Sequence, residues 1–422
     1  MKIAIWYNLR SGGAKRALYD HLRGLVKRGH AIESWCPPTA DRSYLPLSEL
    51  VREHVVPVQN SSQGKRRFDL KRAYSPTLYR MAMMDRHCQQ CAEQINRGGF
   101  DLLLAHQCMF FNTSAIGRFT RIPAVLYLAD PHRPLYEALP KLPWVALDTP
   151  RGWWRSPKYL TRRAEDFLKV EKLRVQAREE LHNAQAFSSI LVNSYYSRES
   201  ILRAYGLDSK VCYLGIDTNL FVNQGRAREF FVVGIGSFTT GKSIDFIIRA
   251  LGRVSPPRPR LVWIGNASDD LYLEDLRRLA VSQSVDFEPK LMIPDLELVD
   301  VLNRAMMMVY APRLEPFGLA AFEGNACGLP VVAVAEGGIR ETILDGVNGL
   351  LVEHDPERMA AGIKYLIDHP DCAAQLAANG RKMVEERWTL EHSVDRLERR
   401  LIESLQREGT DDRRKPRGRQ PS

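Results

Sequence analysis

Short apolar runs alternate along this chain with longer stretches in which Leu, Ile and Val recur every three or four positions. The runs at 3–6, 31–35, 102–105, 124–128 and 189–192, and again at 230–235, 261–264, 308–311, 331–334 and 350–352, are too short for helices and largely lack polar alternation. Parallel strands covered by helices on both faces read this way. Between them lie amphipathic stretches: Leu18, Leu22, Leu25 and Val26 share a face, as do Ile244, Ile247, Ile248 and Leu251. The alternation runs through two halves joined by the polar stretch 215–228, which predicts an α/β fold with two doubly wound parallel sheets. The expected units are a first domain at 1–214, a second at 215–388, a helix at 389–407 and a basic tail at 408–422, the last disordered. In such a fold a ligand is expected in the cleft outside the strand C-termini.

Composition narrows this picture. A length of 422 residues exceeds one hydrophobic core, and 45% apolar with 26% charged residues excludes a chain disordered throughout. No apolar run approaches the ~18 residues of a membrane span, and Met1 to Tyr7 runs into a polar glycine loop rather than a signal-peptide core. A cytoplasmic location is expected. Seven cysteines scattered from Cys36 to Cys372 point to reduced thiols, and Cys88-Gln-Gln-Cys91 has no second pair to complete a zinc site. The formal charge of +10 is partly concentrated in Lys65, Arg66, Arg67, Lys71, Arg72 and Arg80, mixed with Phe68, Tyr74, Leu78, Tyr79 and Met81. A second such segment holds Trp144, Arg151, Trp153, Trp154, Arg155 and Lys158. Basic residues mixed with aromatics suit peripheral contact with an anionic membrane, here the inner face, or simply form solvated loops. No nucleic-acid motif accompanies them, so no nucleic-acid partner is expected.

The candidate chemistry lies between residues 311 and 333. Pro312 and Pro316-Phe317-Gly318 end the strand at 308–311, and a helix is expected from Leu319 to about Gly328, with Pro330 beyond it. The free N–H groups of Gly318, Leu319 and Ala320 would then form a phosphate site at the helix N-terminus. Glu315 and Glu323 flank that site. Eight residues at ~1.5 Å each put their carboxylates on the order of 12 Å apart, wider than the roughly 5–10 Å of a glycosidase pair. The gap suits two ends of a long ligand such as a nucleoside diphosphate sugar. Gly12-Gly13 and Gly236 to Gly241 each join a strand to a helix, and Lys242 at the end of the second loop would neutralise a diphosphate.

Glu315-Pro-Phe-Gly with Glu323 resembles the Glu-x7-Glu signature of the retaining glycosyltransferases of family 4, the glycosyl transferases group 1. The resemblance extends to Cys327–Val332, to Gly337-Gly338 with Glu341, to Asp345–Val352, to Val192-Asn193-Ser194 and to Gly215–Phe221. It implies the GT-B architecture of two facing Rossmann-like domains, with the last helix crossing back onto the first. It implies catalytic roles for Glu315 on the donor sugar and Lys242 on the leaving diphosphate; His132, shortly after the place of the family's His, is the candidate to approach the sugar in its stead, or else a surface histidine in a Pro-rich loop. Substrate-binding positions follow at Gly12, Gly13, Ser237, Phe317, Gly318 and Leu319, and at Glu323 on the ribose. Three places depart from the family pattern: Ser237 stands where it has Arg, Ser243 where it has a second Gly after the Lys, and Ala129 where it has His. Arg313 and Lys290 are candidates for the missing cation. No metal or other cofactor is expected, and Asp269-Asp270 reads as a helix cap. The implied activity is a retaining, metal-independent transfer from a nucleotide sugar to a glycan or lipid-linked acceptor. The alternative is a catalytically impaired scaffold that keeps the nucleotide cleft.

Overall fold

The computed structural model describes residues 1–58, 76–138, 144–149, 154 and 156–411. Most of the basic-aromatic segment at 65–81, Arg151, Trp153 and Arg155, and all but the first residues of the expected tail lie outside the described residues.

Among the described residues, thirteen strands form two parallel sheets. The first comprises β1 (Lys2–Asn8), β2 (Ala31–Cys36), β3 (Arg52–Val55), β4 (Leu102–Cys108), β5 (Ala124–Tyr127), β6 (Ser189–Val192) and β7 (Lys210–Val211), in the order β3-β2-β1-β4-β5-β6-β7. The second comprises β8 (Phe231–Ile235), β9 (Arg260–Gly265), β10 (Phe287–Leu291), β11 (Met307–Tyr310), β12 (Val331–Val334) and β13 (Gly349–Val352), in the order β10-β9-β8-β11-β12-β13. Every apolar run read from the sequence lies on a strand. The strands it missed, β3, β7 and β10, are all sheet edges. Their residues are mostly half-buried and polar, because one side of the ladder and part of each face meet water.

Strand order reverses direction between β1 and β4 in the first sheet and between β8 and β11 in the second. The loops leaving the C-termini of these central strands diverge there and open a crevice in each domain. Gly12-Gly13 follows β1, the loop to Lys242 follows β8 and the Glu315 loop follows β11, so topology alone brings the three candidate loops to these crevices.

The last helix, Leu390–Asp411, packs on the helix Gly13–Lys27 of the first domain. Leu18, Leu22 and Leu25 belong to one core cluster with Val394, Leu397 and Leu401, all fully or almost fully buried. Each such side chain contributes about 1.5–3 kcal/mol relative to exposure. The crossing is fixed at Gly215: Ile216 N donates to Trp388 O at 2.7 Å and Leu390 N to Ile216 O at 2.8 Å. A Cβ on Gly215 would lie 2.1 Å from the Thr389 carbonyl oxygen, so only glycine permits this approach.

A candidate nucleotide-sugar cleft between the domains

The crevices of the two sheets face each other across a cavity of about 300 Å³. Ser11, Gly12, Gly13, Arg16 and Tyr44 line it from the first domain; Gly236, Ser237, Lys242, Asn266, Asp295, Leu319, Ala320, Glu315 and Glu323 are among the residues lining it from the second. The helix Gly13–Lys27 starts at Gly12 and the helix Leu319–Ala326 at Gly318, and no side chain caps either. Their first-turn amides, including those of the lining residues Gly13, Leu319 and Ala320, lack intrahelical partners. Two positive helix ends therefore meet in one cleft, a favourable arrangement for an anion.

Both cleft cations are held by carboxylates. Lys242 Nζ lies 2.8 Å from Glu315 Oε2, with both side chains partly exposed. The stem of Lys242 lies against Gly236, where a Cβ would come within 3.1 Å of it. Arg16 is almost fully buried and grips both oxygens of Asp295, one through Nη1 at 3.0 Å and the other through Nη2. Its Nε lies 3.8 Å from Glu323 Oε1, a charge contact rather than a hydrogen bond. Burial alone would lower the pKa of Arg16, but the Asp295 hydrogen bonds and the Glu323 charge outweigh it, so the guanidinium stays charged. Burial pushes the Glu323 carboxyl up to about 7, against the opposing pull of Arg16.

The Glu315 loop rests on the backbone of Gly337-Gly338. Gly338 N donates to Glu315 O at 2.7 Å, and Cβ atoms on Gly337 and Gly338 would come within 2.3 Å of Glu315 O and 2.0 Å of Pro316 O. Gly337, at φ 69°, also adopts a left-handed conformation natural to glycine. Phe317 does not line the cleft. It is buried against Tyr213, Phe322 and Trp388, so its apolar ring anchors the loop from below. Gly318, at φ 91°, turns the chain into the helix and contributes backbone only.

The remaining candidates separate. Ser237 lines the cleft, with its hydroxyl 3.1 Å from Thr239 Oγ1. Arg313 pairs with Glu336 at 2.7 Å and Lys290 with Glu288 and Glu297; neither lines the cleft. His132 lies in a second, more open pocket of about 380 Å³, with Asn8, Arg10, Gln107, Asn112, Asp130 and Arg133. Burial lowers the His132 pKa, and it raises that of Asp130 to about 6 against a hydrogen bond from Gln107 at 2.7 Å. Asp269 caps the helix Asp270–Ser282 by accepting from Leu271 N and Tyr272 N, as its sequence reading expects. Arg16, Tyr44, Asn266 and Asp295 were not singled out in the sequence. Arg16 follows the first glycine pair closely enough to have been suspected, but its partner Asp295 is 279 positions away.

The sequence pattern described as Glycosyltransferase Family 4 matches residues 11–220, and that described as Glycosyl transferases group 1 matches residues 216–383. A D-inositol 3-phosphate glycosyltransferase of Catenulispora acidiphila is 31% identical over 238 residues, covering 50% of this chain and 56% of its own. The alpha-maltose-1-phosphate synthase of Mycolicibacterium smegmatis is 26% identical over 240 residues, covering 50% of this chain and 62% of its own. The matches thus span about half the length of these curated relatives. The crystal structure of Anabaena HepE in complex with UDP and glucose superposes over 96% of this chain and all of that one, with a TM-score of 0.70 at 19% identity. The fold is that of the GT-B glycosyltransferases, and the chain belongs to the group 1, family 4 glycosyltransferases.

Proposed function

We propose that the protein is a retaining, metal-independent glycosyltransferase that moves a sugar from a nucleotide-sugar donor to a glycan or lipid-linked acceptor. The observation that carries this reading is the Lys242–Glu315 pair, 2.8 Å apart in a cleft that both domains line with uncapped helix N-termini. A diphosphate entering the cleft replaces Glu315 as the partner of Lys242. The ammonium and the two helix ends then neutralise the charge that develops on the leaving group. Glu315, released from the lysine, accepts hydroxyls of the donor sugar, and Glu323 takes the ribose. Arg16, held beside Glu323 by Asp295, opposes the burial that raises that carboxyl and supplies a second cation near the place of the arginine that Ser237 replaces. The acceptor occupies the second pocket beside His132 and attacks on the face the leaving group vacates, which retains configuration.

The relatives' names guide the choice of reagents: UDP and glucose accompany Anabaena HepE, and inositol phosphate is the acceptor in the name of the Catenulispora protein. The test is nucleoside diphosphate release from UDP-, GDP- and ADP-sugars, with D-inositol 3-phosphate or a glycolipid extract as acceptor. Release from one donor that disappears in Lys242→Ala and Glu315→Gln supports the enzyme. Tight nucleotide binding with neither transfer nor hydrolysis supports the impaired scaffold, which Ser237 in place of a cation favours.

A cytoplasmic placement against the inner membrane face belongs to the same reading. Trp144, Val145, Trp154, Leu160 and Phe167 are exposed close to Lys158, Arg162 and Arg163 in sequence, and such a mixture suits an anionic lipid surface. Co-sedimentation with phosphatidylglycerol vesicles but not with phosphatidylcholine vesicles is the expected result.

A further inference from the structure

The Glu315 loop is held from the first domain as well as from its own. Arg133 Nη2 donates to the Arg313 carbonyl at 3.1 Å, and Ser194 Oγ donates to the Pro316 carbonyl at 2.6 Å. These contacts bracket Glu315, one on each side. Between them Leu314 has φ 49°, a left-handed conformation that a branched side chain rarely adopts. Strain of this kind persists only where the surroundings over-determine the backbone. A third tie runs the other way: Glu341 of the second domain accepts from Tyr195 N and Tyr196 N, both at 2.9 Å, at the start of the helix Tyr195–Tyr205. Glu341 lies on the short helix that follows Gly337-Gly338, the surface on which the loop rests.

The two bracketing residues differ in what else they touch. Ser194 is fully buried. Arg133 lines the second pocket, its Nε bound to Glu137 and its guanidinium near Asp130. We propose that Arg133 is a positioning residue through which the occupant of the second pocket sets the placement of Glu315, with Ser194 as the fixed point of the clasp. A guanidinium has five donors in a rigid fork. A hydroxyl-bearing or anionic occupant that engages this fork immobilises it, and with it the Arg313 carbonyl two residues before Glu315. An empty pocket leaves that hold looser, so donor cleavage without an acceptor is slow. The inference rests on the glycosyl-transfer reading for its chemistry but not for its geometry.

The test uses the full chain and reads two quantities. Amide hydrogen exchange reports the clasp whether or not the protein turns over. In Arg133→Met, the amides of residues 313–315, 317 and 318 are expected to exchange about 10-fold faster while those of β8 are unchanged. In turnover, kcat is expected to fall about 10-fold or more with donor KM within about 3-fold, and release of nucleoside diphosphate to lose its acceptor dependence. Arg133→Lys recovers part of both losses. Ser194→Thr, which keeps the hydroxyl, matches the native chain, whereas Ser194→Ala loosens the same amides. Unchanged exchange in Arg133→Met and Ser194→Ala, or a donor KM that rises in proportion as kcat/KM falls, overturns the proposal. A native chain inactive with every donor and acceptor overturns the glycosyl-transfer reading instead, and the exchange comparison still decides the clasp.

Discussion

Each domain places a strand, a glycine loop and a helix at the centre of its sheet, and the two turns put their cations to different uses. After β1 a short loop leads straight into the helix at Gly13, which carries Lys15 and Arg16 into the interior. Among the described residues the Lys15 ammonium has no hydrogen-bond partner, and it lies 4.1 Å from the centre of the Tyr7 ring. Arg16, one residue on, reaches across the cleft to Asp295. After β8 a 3-10 turn over Thr240–Lys242 precedes the helix Ile244–Arg253, and Ser243 takes a left-handed conformation at φ 52°. The delay leaves Lys242 at the rim, partly exposed and paired with a carboxylate that a ligand can displace. A few residues of loop thus separate a buried cation tied across the cleft from one left partly exposed at its rim.

Breaking the second turn should have the largest effect. Lys242→Ala, which removes the cation proposed to stabilise developing charge, and Glu315→Gln, which removes the carboxylate proposed to hold the donor sugar, are each expected to lower nucleoside diphosphate release about 100-fold or more. The measurement is single-turnover release from the donor that the panel identifies; a fall of only a few-fold would place leaving-group stabilisation elsewhere.

Breaking the first turn should cost stability as well as binding. Arg16→Met leaves Asp295 and Glu323 without their shared cation. Removing one partner of a buried pair costs about 3–5 kcal/mol, and the low end applies because Asp295 is 29% exposed. The urea midpoint should fall accordingly, and donor KM should rise about 10-fold. A variant with native stability and native KM would show that the bridge between the domains is incidental.

Glu323 sharpens the comparison through pH. Its carboxyl is raised to about 7 by burial, so the fold favours the protonated form. The stability this contributes is complete below the ordinary carboxylate range and is lost as pH rises through about 7. Glu323→Gln should remove that slope. On the proposed reading, in which ionised Glu323 takes the ribose, binding runs the opposite way, so donor KM should rise as pH falls below 7, approaching about tenfold per unit. A flat KM between pH 5.5 and 8 would remove Glu323 from the binding site.

The smallest effect expected carries the opposite sign. Burial lowers the Lys15 pKa to about 8, so the fold favours the neutral amine and stability falls as pH drops from above 10 through 8. Lys15→Met should stabilise the protein at pH 7 by about 1 kcal/mol, as apolar replacement of a poorly compensated buried charge often does. The gain should vanish above pH 10.5. Destabilisation would mean that Lys15 has a charged partner in solution.

The strands legible in the sequence were those with unbroken apolar runs, mostly interior strands buried on both faces together with the edge strand Gly349–Val352; the edge strands Arg52–Val55, Lys210–Val211 and Phe287–Leu291, half-exposed and largely polar, carry no such run. The helix at Leu319 and the turn at Gly318 were legible for an equally local reason, since glycine and proline restrict or release φ wherever they stand. Residue type was a poorer guide to side-chain direction. Phe317, beside Glu315, turns into the core, and His132 opens into the second pocket.

The sequence by itself determined the two parallel sheets, their glycine loops and the carboxylates and lysine those loops carry, because periodicity and backbone freedom act over a few residues. Only the tertiary structure decided which charges meet. Arg16 with Asp295, Lys242 with Glu315, and Arg133 and Ser194 on the Glu315 loop are contacts between residues far apart in the chain. Their energies depend on distance and burial, and both are set by how the two domains and the returning helix pack together.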